Sequence, residues 1–252
     1  MKIVPLIHFI CFGAAMRDFT ELWPGGPFFA QAEHFKLGTD SVLLADFVNT
    51  SSAKRGIDLG CASGAIALLL LAKSDKLHMS GVDIVEAAVE LARENMRENG
   101  LEGRSSIIHG DIKEHRSLFT AGSFDLVAVN PPYFAAGSGA LSPKNGRDAA
   151  RGEMQCSLED IVRAAAFLLR TGGSFNMVHR PERLSEAFTL MSRYGLEAKR
   201  MRLVCHKAES TPSLVLIEGR RGAKPGLRIE PLLILSNGDG SESEEYKRIY
   251  HR

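Results

Sequence analysis

Asn130, Pro131, Pro132 and Tyr133 stand together directly after the apolar run Phe124-Asp125-Leu126-Val127-Ala128-Val129. A carboxamide offers one acceptor and two donors. Proline keeps its carbonyl but has no N–H. Tyrosine adds a flat ring. Delivered at the carboxyl end of a strand, where open α/β sheets place their chemistry, these groups suit gripping a planar amine beneath an aromatic face. A second constellation lies upstream, in Ile57-Asp58-Leu59-Gly60-Cys61-Ala62-Ser63-Gly64. Its glycines permit a tight turn and the close approach of a ligand. Asp83 follows Asp58 by 25 residues, and Asp111 closes the next apolar run. An acidic group at such a strand end can accept from ribose hydroxyls, and Asp111 could accept from an adenine amine. A nicotinamide enzyme is the competing reading. Such enzymes bring their loop close to a pyrophosphate, which Asp58 would repel. A cationic, phosphate-free cofactor tolerates it better.

The elements that must hold these residues can be read from pattern. Strands are expected at 55–59, 78–82, 105–109, 124–129, 174–178, 201–205 and 214–217. Helices are expected at 41–49 with Thr39 or Asp40 as cap, at 65–72, at 86–99 stopped by Gly100, at 157–169, and from Pro181 to near Gly195. Thr171-Gly172-Gly173 reads as a turn. Trp23 to Phe29 reads as a lid or hairpin edge, and Pro231 to Leu235 as one more apolar run. Ala136 to Met154 is longer than connections in α/β units usually are, which marks it as a functional or mobile candidate. The alternation predicts one mostly parallel, seven-stranded sheet covered on both faces, ending in an antiparallel hairpin. Three segments are expected: an extension over 1–34, a catalytic domain over 35–228 and a tail over 229–252 that packs on or extends it.

Composition narrows the classes. The 252 residues are enough for a sizeable core, and a formal charge of +1 excludes a global polycation. Cys11, Cys61, Cys156 and Cys205 form no CxxC pair, so neither structural zinc nor a disulfide framework is expected. Isolated cysteines fit a reducing cytoplasm. The apolar stretch from Ile3 to Ala15 faintly resembles a signal peptide, but it is short and interrupted by His8. A buried first strand, or an extension before a true start at Met16, is the expectation. No apolar run is long enough to span a membrane.

With these residues in view, the chain resembles a class I S-adenosylmethionine-dependent methyltransferase over roughly Phe35 to Gly219. Asp58 to Gly64 resembles that family's glycine-rich first motif, with Ala62 where the middle glycine is usual. The resemblance implies that Asp58, Gly60, Cys61 and Gly64 surround the methionine part of S-adenosylmethionine. Asp83 would hold the ribose with Ile84 beside it, and Asp111 with Ile112 would meet the adenine. Phe35-Lys36-Leu37-Gly38-Thr39-Asp40 resembles the segment that closes over the methionine end, which brings in Thr39. Asn130-Pro131-Pro132-Tyr133 matches the motif of enzymes that methylate planar amino nitrogens. There the Asn130 side chain and the Pro131 carbonyl would accept from the target NH₂, and Tyr133 would stack on it. Asn130 would also border the cofactor.

The motif alone leaves adenine in DNA or RNA and protein glutamine open. Three stretches resemble the bacterial tRNA1(Val) adenine-37 N6-methyltransferases: Phe35 to Ala45, Phe134 after the motif, and Asn237 to Tyr250. Ala150-Arg151-Gly152-Glu153 adds a similar charged stretch. This implies tRNA as partner. From 193 to 228 nine cations face three anions, a local balance of +6. These cations and Lys144, Arg147 and Arg151 in the 144–151 loop are candidate phosphate contacts. Arg180 is a further candidate beside His179, and His34 is a turn residue that could reach substrate. A monomer or weak dimer without metal is expected. The alternatives are a protein glutamine N5-methyltransferase, a DNA or rRNA adenine N6-methyltransferase, and a noncatalytic RNA-binding protein that keeps the fold. About 34 residues before Phe35 are too few for the helical substrate domain of the glutamine enzymes.

Overall fold

Leu126, Val127, Ala128 and Val129 have no exposed surface, as a strand covered on both faces requires. In the computed structural model, which describes residues 17–32, 35–131 and 156–252, they sit at the centre of the sheet. The elements in order are β1 (Phe19–Glu21), β2 (Phe28–Ala30), α1 (Thr39–Phe47), β3 (Arg55–Leu59), α2 (Ala65–Lys73), β4 (His78–Asp83), α3 (Glu86–Glu98), β5 (Ser105–His109), α4 (His115–Leu118), β6 (Phe124–Val129), α5 (Leu158–Leu168), β7 (Leu169–His179), α6 (Leu184–Arg193), β8 (Leu196–Cys205), β9 (Leu214–Arg221), β10 (Arg228–Ile229), β11 (Leu233–Ile234) and α7 (Glu244–Ile249).

The main sheet has nine strands in the order β10-β8-β9-β7-β6-β3-β4-β5, with β11 also on β8. β6 pairs in parallel with β3 and β7, while β9 runs antiparallel to β7 and β8. This is the class I methyltransferase architecture: seven long strands with an antiparallel hairpin, widened by the two-residue strands β10 and β11. The period of two along β6 sorts its side chains. Leu126 and Ala128 join the core under α1, α2 and α3, whereas Val127 and Val129 join that under α5 and α6.

Two local expectations need correction. Neither Thr39 nor Asp40 caps α1. Gly38 takes the cap position in extended backbone, and its carbonyl receives the Ser41 and Val42 N–H groups. The helix stops at Phe47, where the Lys73 ammonium donates to the carbonyls of Ala45, Asp46 and Val48. Thr171-Gly172-Gly173 lies inside β7, not before it. Gly172 takes φ of 78° and the β6–β7 register shifts between Phe124 and Leu126, so the expected turn is a bulge within a longer strand.

Candidate active site

The register brings the singled-out residues to one edge. Asp58 lies opposite Gly81 of β4 and Ala128 of β6, and Asp83 lies opposite His109 of β5. All four strands run parallel, so Gly60, Asp83, Asp111 and Asn130 follow their carboxyl ends. The chain proceeds from β3 through β4 to β5 on one side, and from β6 to β7 on the other. The reversal between β3 and β6 opens a crevice at that edge.

The β3–α2 loop folds on backbone groups of β4. The N–H groups of Gly60 and Cys61 donate to the Val82 carbonyl at 2.8 and 3.1 Å. Gly60 takes φ of 74°, and a Cβ there would meet nothing within 4 Å, so this backbone faces open space. Gly64 is also left-handed, but its Cβ would press on Ala92 at 3.0 Å, so close helix packing demands it. Gly81 leaves room for the Cys61 side chain, whose Sγ would lie 2.9 Å from an added Cβ. Ala62 carries φ of 44°, a left-handed conformation that costs a side-chain-bearing residue about 1–2 kcal/mol. Its N–H donates to Asp83 Oδ2 at 2.8 Å. A hydrogen bond to a carboxylate returns about 1.5–3 kcal/mol, which is enough to hold alanine where glycine would be easier.

Asp58 is 1% exposed, and neither carboxylate oxygen has a hydrogen-bond partner of standard geometry. Burial, reinforced by the Asp83 carboxylate, raises its pKa from 3.8 to about 8 against a smaller pull from the Ala67 N–H. Asp83 Oδ1 also accepts from the Val85 N–H at 2.9 Å. Each carboxylate oxygen has two acceptor sites, so both retain capacity for a diol. Ile84 and Val85 follow, 45% and 43% exposed, and offer an apolar shelf. Asp111 caps the short turn Ile112–Glu114 by accepting from the Lys113 N–H at 2.8 Å, and Ile112 packs against the core below. An orphaned buried carboxylate, a glycine facing open space, an apolar shelf and two further acids fit a cationic nucleoside such as S-adenosylmethionine.

Across the crevice, Pro131 is buried and Asn130 half-buried. Asn130 Nδ2 donates to Ser41 Oγ of α1 at 3.2 Å. Thr39 begins the same helix and lies beside the Tyr250 hydroxyl, which burial pushes up to about 12 against an opposing hydrogen bond from Thr39. Pro132, Tyr133, Phe134, His34 and the 144–151 loop lie outside the described residues. His179 is buried, with Nδ1 accepting from the Arg180 N–H at 2.7 Å, and Arg180 donates to the Ser213 carbonyl. Among the described residues no group of three or more His, Cys, Asp or Glu could hold a metal, and no helix is long and apolar enough to cross a membrane.

Five of the nine cations of 193–228 are paired with acids. Arg200 pairs with Glu218 and Glu230 and lies over Phe47, with its carbon 3.8 Å from the ring centroid. Arg202 pairs with Glu245, Arg220 with Glu218, Arg228 with Glu230 and Arg193 with Glu159. The register adds a second difference. Arg220 and Arg221 lie opposite Glu197 and Leu196, at the end of β8 away from the crevice.

Pattern reading missed four residues. Ser41 gave no signal beyond its place in a helix. Asn95 and Asn99 stood out only as polar residues on the buried face of α3. Asn95 Nδ2 donates to the Ser63 carbonyl at 2.9 Å, which ties α3 to the glycine-rich loop. His109 Nε2 lies 3.0 Å from the Ile84 carbonyl and steadies the shelf.

Comparison with known proteins agrees with this geometry. The methyltransferase small domain family matches residues 29–196. The chain is 29% identical to the tRNA1(Val) (adenine(37)-N6)-methyltransferase of Bacteroides thetaiotaomicron, over 85% of this chain and 88% of that one. It is 30% identical to the protein of the same name from Tolumonas auensis, over 84% and 86%. Among solved structures, a predicted O-methyltransferase from Agrobacterium tumefaciens shares the fold with TM-score 0.69 at 18% identity, covering 84% of this chain and 96% of that one. A precorrin-6y C5,15-methyltransferase from Geobacter metallireducens does so with TM-score 0.55 at 14%, covering 77% and 94%. With its acidic strand ends arranged around a β3–β6 crevice, the chain belongs to the methyltransferase small domain family, whose class I fold takes S-adenosylmethionine as cofactor.

Proposed function

We propose that this protein methylates N6 of adenosine in tRNA, at position 37 of tRNA1(Val). The observation that carries the reading is Asn130-Pro131 at the end of β6, across the switch point from the acidic ends of β3, β4 and β5. Relatives that share most of the chain carry that activity in their names. S-adenosylmethionine, when bound, supplies an electrophilic methyl on a sulfonium. Asp58, Gly60, Cys61 and Gly64 would take its methionine part, with Thr39 above. Asp83 and Ile84 would take the ribose, and Asp111 and Ile112 the adenine.

The Asn130 carboxamide oxygen and the Pro131 carbonyl would accept the two hydrogens of the target amine, with Tyr133 stacked on the base. An exocyclic amine delocalises its lone pair into the ring. Two acceptors below the plane favour pyramidalisation toward the methyl, so positioning and electrostatics supply most of the rate. Once nitrogen is methylated its proton is acidic, and no strong general base is required. An adenosine in a structured loop must turn outward to reach the crevice. Lys144, Arg147 and Arg151 are then the phosphate contacts nearest to it in sequence.

The test is transfer of label from S-adenosylmethionine to undermodified cellular RNA, followed by mapping of the modified nucleoside. Label in N6-methyladenosine of tRNA is expected. Label confined to protein glutamine or to DNA overturns the reading. Asn130→Ala should cut transfer at least 100-fold, the scale of losing an oriented transition-state contact, while S-adenosylmethionine affinity holds within about threefold.

A further inference from the structure

We propose that Ser41 is a positioning residue that holds the nitrogen end of the Asn130 carboxamide, so that the oxygen end is the one turned from α1; this rests on the amino-methylation reading above. A carboxamide is nearly symmetric in shape but not in chemistry: its oxygen accepts and its nitrogen donates. If Asn130 presented its NH₂ to an adenine NH₂, two donors would face each other and the contact would repel. A chain that uses this side chain as an acceptor must therefore select one of two flips about its last bond.

A hydroxyl can accept from a carboxamide nitrogen or donate to its oxygen; here Ser41 takes the nitrogen. The serine stands in the first turn of α1, while Asn130 ends β6, 89 residues away. Asn130 Nδ2 donates to Ser41 Oγ at 3.2 Å. With the nitrogen turned toward α1, the carbonyl oxygen is the end turned elsewhere. The helix is a firm mount. Val42, Leu43, Leu44 and Phe47 are all buried, and Lys73 holds the carboxyl end. The serine cannot retreat without dislodging those contacts. The same first turn begins at Thr39, so the segment expected to close over the methionine end also sets the amine acceptor.

Ser41→Ala removes the acceptor with little change in helix propensity or volume. We expect kcat for adenosine methylation to fall about 5- to 10-fold, the scale of one hydrogen bond acting through a second group. KM for RNA and Kd for S-adenosylmethionine should stay within about twofold. Ser41→Thr keeps the hydroxyl and should restore kcat to within about twofold of the parent. A structural role would instead lower the melting temperature and move all three constants together. Side-chain ¹⁵N NMR gives a readout independent of transfer. The Asn130 amide resonance should shift, and its protons should exchange faster, in Ser41→Ala but not in Ser41→Thr. Unchanged kcat with an unchanged Asn130 resonance overturns the positioning role. If the parent protein methylates no adenosine at all, the function reading fails, and the NMR comparison alone decides whether Ser41 holds Asn130.

Discussion

Asp58 concentrates the electrostatics of this protein in one side chain. It is buried, its oxygens lack partners, and its pKa stands near 8 instead of 3.8. Between those values the folded chain keeps a proton that the unfolded chain gives up. This group therefore makes the ligand-free protein less stable as pH rises from about 4 to 8, by at most about 1.4 kcal/mol per unit. A bound sulfonium favours the ionised form, so binding should release part of a proton at pH 7. Calorimetry in two buffers of different ionisation heat should show the release, with affinity for S-adenosylmethionine rising from pH 6 to 8.5. Asp58→Asn should abolish both effects. Equal affinity at the two pH values would refute the linkage. The places of Asp83, Asp111 and Asn130 were legible in sequence because they follow apolar runs, and that of Asp58 because it opens the glycine-rich turn. Ser41 was not, because its role comes from a partner 89 residues away.

At the scale of elements, the buried parallel strands read most cleanly. β3, β5 and β6 run as the apolar runs indicate. β8 and β9 extend further than their apolar centres: β8 carries the half-buried Glu197, Lys199, Arg200 and Arg202, and β9 ends in the half-buried Arg220 and Arg221. The clamp on the β1–β2 hairpin was invisible to pattern. Asn95 and Asn99 are one helical turn apart, about 6 Å along the axis, and alternate residues of a strand are about 6.8 Å apart. Two carboxamides can thus meet every second residue of a strand. Asn95 accepts from the Ala30 N–H and donates to its carbonyl, and Asn99 does the same with Phe28. Asn95 also reaches Ser63, so one side chain joins hairpin, helix and cofactor loop. Asn95→Ala leaves buried backbone groups unpaired at a cost of about 3 kcal/mol, a melting temperature lower by about 6–12 °C. Hydrogen exchange at Ala30 should accelerate before exchange in β6 does. Unchanged protection at Ala30 would mean that the hairpin is held by packing alone.

For the whole molecule, the balance of charge has to be read in space. The +6 counted over 193–228 omits Glu159, Glu230 and Glu245, which the fold brings against Arg193, Arg200, Arg228 and Arg202. Arg202 shows what those pairs do. Nη1 and Nη2 each meet a Glu245 carboxylate oxygen at 2.8 Å, and Nε donates to the Pro231 carbonyl at 2.9 Å. The forked contact fastens α7 and the tail to β8. Arg202→Met should cost about 1–3 kcal/mol, lowering the melting temperature by about 2–12 °C. Because this arginine is committed to the tail, the salt dependence of RNA binding should not change. Lys207 offers the contrast. It follows β8 at the carboxyl edge, the same edge as Asn130, and on the tRNA reading it is placed to meet phosphate. Lys207→Gln should reduce the slope of log K against log salt by about 0.7–0.9, the loss of one released counterion, with little change in melting temperature. A flattened slope in Arg202→Met with a normal slope in Lys207→Gln would move the RNA path from the crevice edge to the hairpin face.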